Sequence, residues 1–457
     1  MDTQEVKRIV DHWMVPTAGG SYMAGLENRP VIARAEGIKV FDTQGKSYLD
    51  FGSGQMAAAL GHNHPLYVEA VKRKLQTISH STKTFLNVDR LELHRRLGEI
   101  LTPPLQKSLF LVSGSDAVEA AIDMARKLTG GTDVLAMHMG LHGSTSFVTR
   151  SLSFGWNRSK HGLAAQATSA ILAPYTYRCP VGSSENCSCA RNQGEYQCLK
   201  TSFELAVSNF TGKPAAMVME PILSAGGIIV PPPGYVSALR DLCRQYGMLF
   251  IMDESQTGLG KTGRMWGHQH EDIVPDIITV SKHFGAGLPV SAVCTTADIA
   301  DRAAANGYFA TRSHACDPIT CAAGVASIDI IEKEGLVDRA AHIDGVLRER
   351  LSAMVGEFEF IGDIRGRGVL YGVELISPAE GDGRAPANAA ARAVVQACQD
   401  KGLLVQARGS HGRMNVIRLV PPMVSTDDEI HQGMDILAEA LRGVARSNVA
   451  HVEAAAV

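Results

Sequence analysis

A lysine and an aspartate each stand where an apolar run of the chain ends. Lys282 follows the run Ile277–Val280, and Asp253 closes the run Leu249–Met252. In an open α/β sheet, ligands bind at the edge where the parallel strands end. A lysine there can form a Schiff base with an aldehyde, and an acid beside it can hold a pyridine nitrogen protonated. The pair therefore predicts pyridoxal 5'-phosphate as the cofactor.

A serine-rich turn supplies a candidate phosphate site. Ser113, Gly114 and Ser115 lie between the apolar run Leu109–Val112 and a helical stretch that includes Ala117. Free backbone N–H groups and the positive end of a helix favour a phosphate at such a position. A simple helix N-cap explains Ser113 equally well when it is taken alone. The coenzyme has a phosphate, a ring nitrogen and an aldehyde. The serine-rich turn, the strand-end acid and the strand-end lysine suit these three groups in that order.

The composition describes an ordinary globular chain and excludes several classes of partner. Of its 457 residues, 45% are hydrophobic and 20% are charged. A formal net charge of −3 gives no electrostatic reason to expect nucleic acid or an anionic membrane. The amino terminus does not have the pattern of a signal peptide, and no apolar run approaches the length of a membrane helix. We predict a cytoplasmic protein that binds small molecules and copies of itself, without nucleic acid or membrane.

Four of the nine cysteines, Cys179, Cys187, Cys189 and Cys198, fall in one polar segment. A zinc site is one interpretation, but the segment has no histidine and lacks the paired, closely spaced cysteines of structural zinc sites. The odd count, without a secretory signal, favours free thiols over a disulfide framework. We therefore predict a surface insertion with free thiols and no metal.

The order of apolar and helical stretches indicates an α/β fold. Strands alternate with helices from about residue 107 to 330, which is typical of a mostly parallel sheet covered on both faces. After about residue 335, short strands mix with an Ala-rich helix near 386–400, which indicates a smaller α+β domain. We predict a segment 1–65 that packs with the small domain, a large coenzyme-binding domain 66–334 and a small domain 335–457.

Several motifs resemble the signatures of class III pyridoxal-phosphate aminotransferases, and the match runs from about Phe41 to Pro422. They occupy residues 220–221, 253–263, 275–282 and 365–368. Within that class the chain is most similar to the 2,2-dialkylglycine decarboxylases, at residues 53–56, 61–65, 220–229 and 285–289. The resemblance implies a fold-type-I enzyme whose large domain holds a mostly parallel seven-stranded sheet.

The resemblance also implies roles for residues around the coenzyme. Lys282 would bind the coenzyme covalently and later move a proton, Asp253 would pair with the ring nitrogen, and Gln256 would hydrogen-bond the phenolic oxygen. Ser313 aligns with a residue that reaches the phosphate of the neighbouring subunit, which implies a homodimer or a dimer of dimers. The other implied cofactor contacts are Ser113, Gly114, Ser115, Leu141, His142 and Glu220.

For the substrate, Arg418 matches an arginine that binds a carboxylate through both oxygens. Glu220 resembles an acid that compensates this arginine when the substrate brings no second carboxylate. Gln55 matches a glutamine that, in the decarboxylases, seats a carboxylate perpendicular to the coenzyme ring so that carbon dioxide leaves. A turn residue is the plainer interpretation of Gln55. The other implied substrate contacts are Leu141, Ser224 and Ala225.

Two positions depart from the pattern of the class. Leu141 stands where an aromatic residue usually stacks on the ring, which forfeits about 1 kcal/mol of stacking. Ala225 stands where the decarboxylases would have a second serine after Ser224. Both changes predict a wider and more apolar pocket.

We predict an enzyme that moves an amino group from an amino acid to a 2-oxo acid such as pyruvate. Decarboxylation of a 2,2-disubstituted amino acid is favoured by Gln55 and disfavoured by Ala225, so the sequence leaves it open. Two alternatives also remain at this point: a pyridoxal-phosphate racemase or epimerase, in which a histidine assists Lys282, and a non-catalytic binding scaffold.

Overall fold

A computed structural model of the chain describes residues 3–15, 29–153, 165–181, 196–380, 383–409 and 412–455. The α-helices, numbered in chain order, are α1 Thr3–Trp13, α2 Ser53–Met56, α3 Pro65–Leu75, α4 Val88–Ile100, α5 Gly114–Thr129, α6 Phe147–Leu152, α7 Gln197–Ser208, α8 Tyr235–Gln245, α9 Ala297–Ala305, α10 Pro318–Lys333, α11 Leu336–Glu357, α12 Asn388–Asp400 and α13 Asp427–Ala455. The strands are β1 Ile32–Glu36, β2 Lys39–Asp42, β3 Ser47–Asp50, β4 Lys107–Leu111, β5 Asp133–Met137, β6 Thr168–Ile171, β7 Pro214–Met219, β8 Leu249–Asp253, β9 Ile277–Val280, β10 Ser291–Thr295, β11 Ile361–Arg367, β12 Leu370–Ser377, β13 Ala385–Pro386, β14 Leu403–Leu404, β15 Gln406–Arg408 and β16 Val416–Leu419.

The central sheet has seven strands in the order β4-β10-β9-β8-β7-β5-β6. Neighbours from β9 to β6 pair in parallel, and β10 is antiparallel to both β4 and β9. Every residue of β5, β9 and β10 is buried, as expected for strands covered by helices on both faces. The predicted mostly parallel seven-stranded sheet is therefore confirmed.

Helix α5 packs against this sheet and starts at the edge where the strands end. Its N-cap is Ser113, which forms a capping box with Asp116, and its C-cap is Gly130 in the left-handed conformation. The face turned to the sheet is rich in alanine, with Ile122 fully buried among them. Burial of that side chain contributes about 2 kcal/mol. The helix thereby presents its amino-terminal N–H groups at the edge of the sheet.

Two smaller sheets join distant parts of the chain. The hairpin β2-β3 pairs with β1, and β3 also pairs in parallel with β14 near the carboxyl-terminal end. The second sheet has the order β11-β12-β16-β15, and β13 pairs with β12. The pairing of β3 with β14 links the first 50 residues to the segment after residue 400. The division at residues 65 and 334 stays a prediction.

Within the described ranges, no helix is both long enough and apolar enough to cross a membrane.

Candidate active site

The residues that follow β4, β5, β7, β8 and β9 meet at one edge of the central sheet. Because β4 and the parallel strands run in the same direction, their carboxyl ends share this edge. A cavity of about 290 Å³ opens there. It is lined by Ser113, Gly114, Ser115, Leu141, His142, Gly143, Ser144, Glu220, Asp253, Ser255, Gln256, Ser281 and Lys282.

Lys282 stands at the first position after the buried strand β9 and Ser281. Its backbone φ is +54°, in the left-handed region that a non-glycine residue rarely adopts. Such a conformation costs of the order of 1–3 kcal/mol and is typical of functional sites. Burial lowers the pKa of the Lys282 ammonium, while Asp253 and Glu220 act in the opposite direction. A larger fraction of neutral amine is therefore available as a nucleophile or base.

Asp253 ends β8 and is almost completely buried. Its Oδ1 accepts hydrogen bonds from Ser255 N at 3.2 Å and Thr279 Oγ1 at 3.1 Å, and its Oδ2 lies 3.1 Å from Nδ1 of His142. Burial alone would raise the pKa of this carboxyl, but His142, Ser255 and Lys282 outweigh it, so the pKa lies below its ordinary value. Asp253 is therefore a fixed carboxylate anion inside the cavity.

The turn before α5 is shaped to admit a ligand close to its backbone. A methyl group built on Gly114 would lie 2.7 Å from Ser281 Oγ, closer than van der Waals contact, so the lack of a side chain keeps this turn open. Gly143, at φ +128°, would clash with Ser115 in the same way. Ser113 Oγ accepts from Asp116 N at 3.2 Å, which makes it the N-cap, at the helix end that favours a phosphate. The helix N-cap and the phosphate site, the two interpretations of Ser113, are therefore compatible with the same geometry.

Two buried polar atoms of the cavity lack a partner among the described residues: Gln256 Oε1 and His142 Nε2. Buried polar groups are normally hydrogen-bonded, so an unsatisfied group in a cavity indicates a ligand group. Gln256 and Asp253 line the cavity together with Lys282, and the phosphate turn forms another part of the lining. An anion cradle, an amine and a carboxylate in one cavity fit pyridoxal 5'-phosphate.

Glu220 follows β7 and joins two loops at the cavity. Its Oε1 accepts from Leu141 N at 2.9 Å and its Oε2 accepts from Ser224 N at 3.1 Å. Burial, followed by the nearby Asp253, raises the pKa of Glu220 to about 7, although His142 and the two N–H donors oppose the rise. Glu220 thus holds the loop of Leu141 and the loop of Ala225 in fixed positions.

The pKa of Glu220 leads to a testable dependence of stability on pH. Because the folded pKa lies above the unfolded value, the folded state binds more protons between pH 4.5 and about 7. The free energy of unfolding of the coenzyme-free protein should therefore fall as the pH rises through that window, by up to about 3 kcal/mol from Glu220 alone. Glu220→Gln should lose this contribution. Urea unfolding of both proteins across the window tests it, and parallel curves would contradict it.

Arg418 lies on β16 and is buried, with 4% of its surface exposed. Its Nη2 donates to Gln406 Oε1 at 2.8 Å. Arg418 does not line the coenzyme cavity, but its charge lowers the pKa of Lys282. Ser224 is buried with Oγ 3.7 Å from Met56 Sδ, and Ala225 is half-buried beside it.

Gln55 is exposed and lies in α2, a kinked turn rather than a regular helix. Ser53, Gly54 and Met56 all have positive φ. Three contacts hold this turn: Ser53 Oγ donates to Val420 O, Gly54 N to Asp50 Oδ2, and Lys261 Nζ to Met56 O at 2.9 Å. Such strain persists only where the surroundings impose it, which is typical of functional segments.

Ser313 is exposed and does not line the cavity of its own chain. The neighbouring Arg312 donates to Asp116 Oδ1 at 2.9 Å, so the segment lies beside the start of α5. Its expected contact with a neighbouring subunit stays a prediction.

The sequence reasoning missed several residues of the site. Ser255, Ser281 and Ser144 line the cavity, and Thr279 supports Asp253. Ser255 and Ser281 stand one or two positions from a strand end, so their positions alone could have indicated them. Lys261 and Gln406 carry no such local signal.

Of the four clustered cysteines, Cys187 and Cys189 lie outside the described residues. Cys179 and Cys198 are half-buried, with their Sγ atoms 3.8 Å apart. The insertion with free thiols stays a prediction.

Comparison with known proteins identifies one enzyme family. The profile of the family "Aminotransferase class-III" matches residues 23–441. A probable 4-aminobutyrate aminotransferase of Bacillus subtilis is 34% identical over 91% of this chain and 93% of its own length. A leucine/methionine racemase of Thermococcus litoralis is 33% identical, covering 92% of both chains. The crystal structure of a taurine:2-oxoglutarate aminotransferase from Bifidobacterium kashiwanohense, in complex with PLP and glutamate, is 25% identical with a TM-score of 0.86 over 97% of this chain and 98% of that one.

Proposed function

The chain belongs to the class-III aminotransferase family, and from that premise we propose that it moves an amino group from an amino acid to a 2-oxo acid such as pyruvate. Its cofactor is pyridoxal 5'-phosphate, and its fold is that of the fold-type-I enzymes. We further propose that 2,2-disubstituted amino acids serve as decarboxylating donors. That part rests on the resemblance to 2,2-dialkylglycine decarboxylase and on Gln55.

One observation carries the proposal: an amine, a carboxylate anion and a helix-end anion cradle line a single cavity. Lys282, Asp253 and Gly114 provide these three groups. The anion Asp253 is buried and hydrogen-bonded, so it is fixed before any ligand binds. A non-catalytic scaffold has no chemical need for this combination, and family membership argues against that alternative.

The coenzyme, when bound, accepts the electron pair of the bond that breaks at the α-carbon of the amino acid. Lys282 Nζ takes a proton from one carbon and returns it to another, for which its lowered pKa suits it. Asp253 keeps the ring nitrogen protonated. Arg418 orients the substrate by its carboxylate, and the loops joined by Glu220 bound the space left for the side chain.

Two features support decarboxylation of a quaternary amino acid. Such a donor has no α-proton, so the carboxylate must take the position perpendicular to the ring and leave as carbon dioxide. The strained turn that carries Gln55 is held by contacts from Asp50 and Lys261, which fix the backbone from which its exposed side chain projects. Leu141, in place of an aromatic side chain, leaves room for a second substituent on the α-carbon, whereas the missing serine hydroxyl at Ala225 weighs against this reaction. The products would be carbon dioxide, a ketone and alanine.

The proposal is tested by offering 2-aminoisobutyrate, an α-substituted aromatic amino acid and L-alanine separately to the holoenzyme. Pyruvate is the acceptor for the first two and 2-oxobutyrate for L-alanine. Carbon dioxide and ketone from a quaternary amino acid would support the decarboxylating reaction. Formation of keto acid without carbon dioxide would support ordinary transamination and contradict the decarboxylating reaction. No product from any donor would contradict the transamination proposed above.

Gln55→Ala should separate the two reactions. We expect release of carbon dioxide from 2-aminoisobutyrate to fall about 10- to 100-fold, the effect of losing one hydrogen bond to a carboxylate. Keto acid formation from L-alanine should change less than about threefold. Gln76→Ala, at the end of α3, provides the matched control. An equal loss in both reactions would show that Gln55 only supports the turn.

Racemisation is the second candidate, because the relative from Thermococcus litoralis is a leucine/methionine racemase. It requires a second proton donor at the α-carbon, on the face opposite Lys282. His142, the histidine that lines the cavity, has its Nδ1 3.1 Å from Asp253, the residue proposed for the ring nitrogen. That position places His142 away from the α-carbon and favours transamination. Formation of keto acid in the assay above would exclude a pure racemase.

We also propose a homodimer, or a dimer of dimers, in which Ser313 completes the phosphate site of the neighbouring subunit. Several large apolar side chains near this segment are exposed: Ile78, Phe85, Leu86, Val88 and Phe309. Lys83 lies over the ring of Phe309, and His80 contacts Asp317, so the two segments form one surface. An exposed apolar surface of this kind is typical of a protein interface. The cytoplasmic location stays a prediction.

A further inference from the structure

Ser281 stands directly before Lys282 and, like it, lines the coenzyme cavity. It follows the last residue of β9, and only 5% of its surface is exposed. Its backbone is extended, with φ −161° and ψ −154°, whereas Lys282 adopts the left-handed conformation. The change between these two conformations turns both consecutive side chains toward the same cavity.

The hydroxyl of Ser281 has no hydrogen-bond partner among the residues that the structure describes, and it makes no capping bond to the turn that follows. The serines of the turn before α5 differ in this respect. Ser113 Oγ accepts from Asp116 N at 3.2 Å. Ser115 Oγ accepts from Ser144 N at 3.2 Å. Because buried polar groups are normally hydrogen-bonded, an unused hydroxyl in a cavity indicates a ligand group.

This hydroxyl lies beside the amino-terminal end of α5. A methyl group built on Gly114, the first residue of the helix, would lie 2.7 Å from Ser281 Oγ. The first N–H groups of a helix have no acceptor within it. For the N–H groups of Gly114 and Ser115, no acceptor is found in the described part of the chain either. Two unused N–H donors and one unused hydroxyl therefore lie together at the positive end of the helix.

The chemistry of these three groups favours a phosphate. Backbone N–H groups only donate, and a serine hydroxyl can donate as well. Hydrogen bonds to the charged oxygens of a phosphate are stronger than those between neutral groups. Asp116, in the first turn of α5, has its own charge balanced by Arg312, which donates to its Oδ1 at 2.9 Å. A phosphate bound here therefore gains three donors at a helix end that favours anions.

A second serine hydroxyl lies farther from this point. Ser255 Oγ would be 3.4 Å from the same methyl group on Gly114. The N–H of Ser255 donates to Asp253 Oδ1 at 3.2 Å, so this residue supports the carboxylate on the other side of the cavity. Ser281 is therefore the serine outside the turn that best suits the phosphate.

We propose that Ser281 binds the coenzyme phosphate through its hydroxyl, beside the N–H groups of Gly114 and Ser115. Because Ser281 precedes Lys282, the same hydrogen bond ties the phosphate to the strained backbone of the residue that holds the coenzyme covalently. The inference rests on the coenzyme-binding part of the proposed function and is independent of which amino donor reacts.

The test titrates the coenzyme-free proteins with pyridoxal 5'-phosphate and, separately, with pyridoxal, which has the aldehyde and the ring but no phosphate. It compares wild type, Ser281→Ala and the control Ser208→Ala, which replaces an exposed serine at the end of α7. Absorbance of the protein-linked ligand measures each Kd. In Ser281→Ala we expect the Kd of pyridoxal 5'-phosphate to rise about 10- to 100-fold, because one hydrogen bond to a charged group is lost. The Kd of pyridoxal should change less than about threefold, and Ser208→Ala should leave both values unchanged.

The two ligands distinguish a phosphate contact from a general effect on the site. An equal rise in both Kd values, or no rise in either, would overturn the role of Ser281. Ser281→Cys keeps the volume of the side chain but replaces the hydroxyl with a weak donor, so it should shift the same Kd even if Ser281→Ala does not fold. If the expected shift appears in a protein that catalyses no transamination, the proposed reaction fails and the phosphate contact stands.

Discussion

Lys282→Ala is expected to lower kcat/KM for transamination by at least about 10⁴-fold, because it removes both the covalent attachment to the coenzyme and the group that moves the proton. Lys282 stands at a strained position at the end of β9 and lines the cavity. Steady-state assays with the best donor and acceptor measure the loss. The purified variant should also lack the absorption of a protein-linked coenzyme, although coenzyme still binds reversibly.

Two comparisons make the Lys282 result specific. Lys333→Ala, at an exposed position of α10, should retain full activity. Borohydride reduction of the wild-type holoenzyme followed by peptide mass spectrometry should place the coenzyme on Lys282. Lys261, a buried lysine nearby, donates to Met56 O and should carry no label. Label on Lys261, or activity that survives in Lys282→Ala, would refute the assignment.

Asp253→Asn is expected to lower kcat by about 10³-fold, the scale found when one fixed electrostatic group of an active site is removed. The amide has nearly the same shape, so the contacts from Ser255 N and Thr279 Oγ1 to Oδ1 can persist. The negative charge, however, is lost. Because the pKa of Asp253 is lowered, the wild-type group is an anion through the whole neutral range and can keep a ring nitrogen protonated.

The Asp253 variant should still bind coenzyme, which separates a loss of chemistry from a loss of folding. Absorption spectra should show bound coenzyme in Asp253→Asn, and Asp253→Glu should recover part of the rate. Asp276→Asn is the matched control, since Asp276 precedes β9 at the opposite edge of the same sheet and accepts from Phe250 N at 2.8 Å. Near-normal kcat in Asp253→Asn would contradict the role of the carboxylate.

Much of the coenzyme site could be predicted because its signals are local. Lys282 and Asp253 each end a short apolar run, and Ser113 and Gly114 stand between a strand and a helix. In a parallel sheet the carboxyl ends of the strands share one edge, so local position was enough to bring these residues together. The α/β class followed from the same alternation of strands and helices.

The substrate side was less accessible to such reasoning. The kinked turn of Gln55 is held by Lys261, 205 positions from its acceptor Met56, and Glu220 accepts from Leu141, 79 positions away along the chain. No periodicity or local motif encodes a contact between segments so distant. The family resemblance supplied Gln55 and Arg418, but not the residues that position them.

The sequence by itself therefore determined the coenzyme and the edge of the sheet where the coenzyme binds, because residue type and position along a strand are enough for both. Only the tertiary structure decided what surrounds the substrate. Gln406 belongs to no motif, yet the register of β15 and β16 sets it opposite Arg418, whose Nη2 donates to its Oε1 at 2.8 Å. Residue types alone cannot predict this hydrogen bond, because it depends on a strand register that only the folded sheet sets.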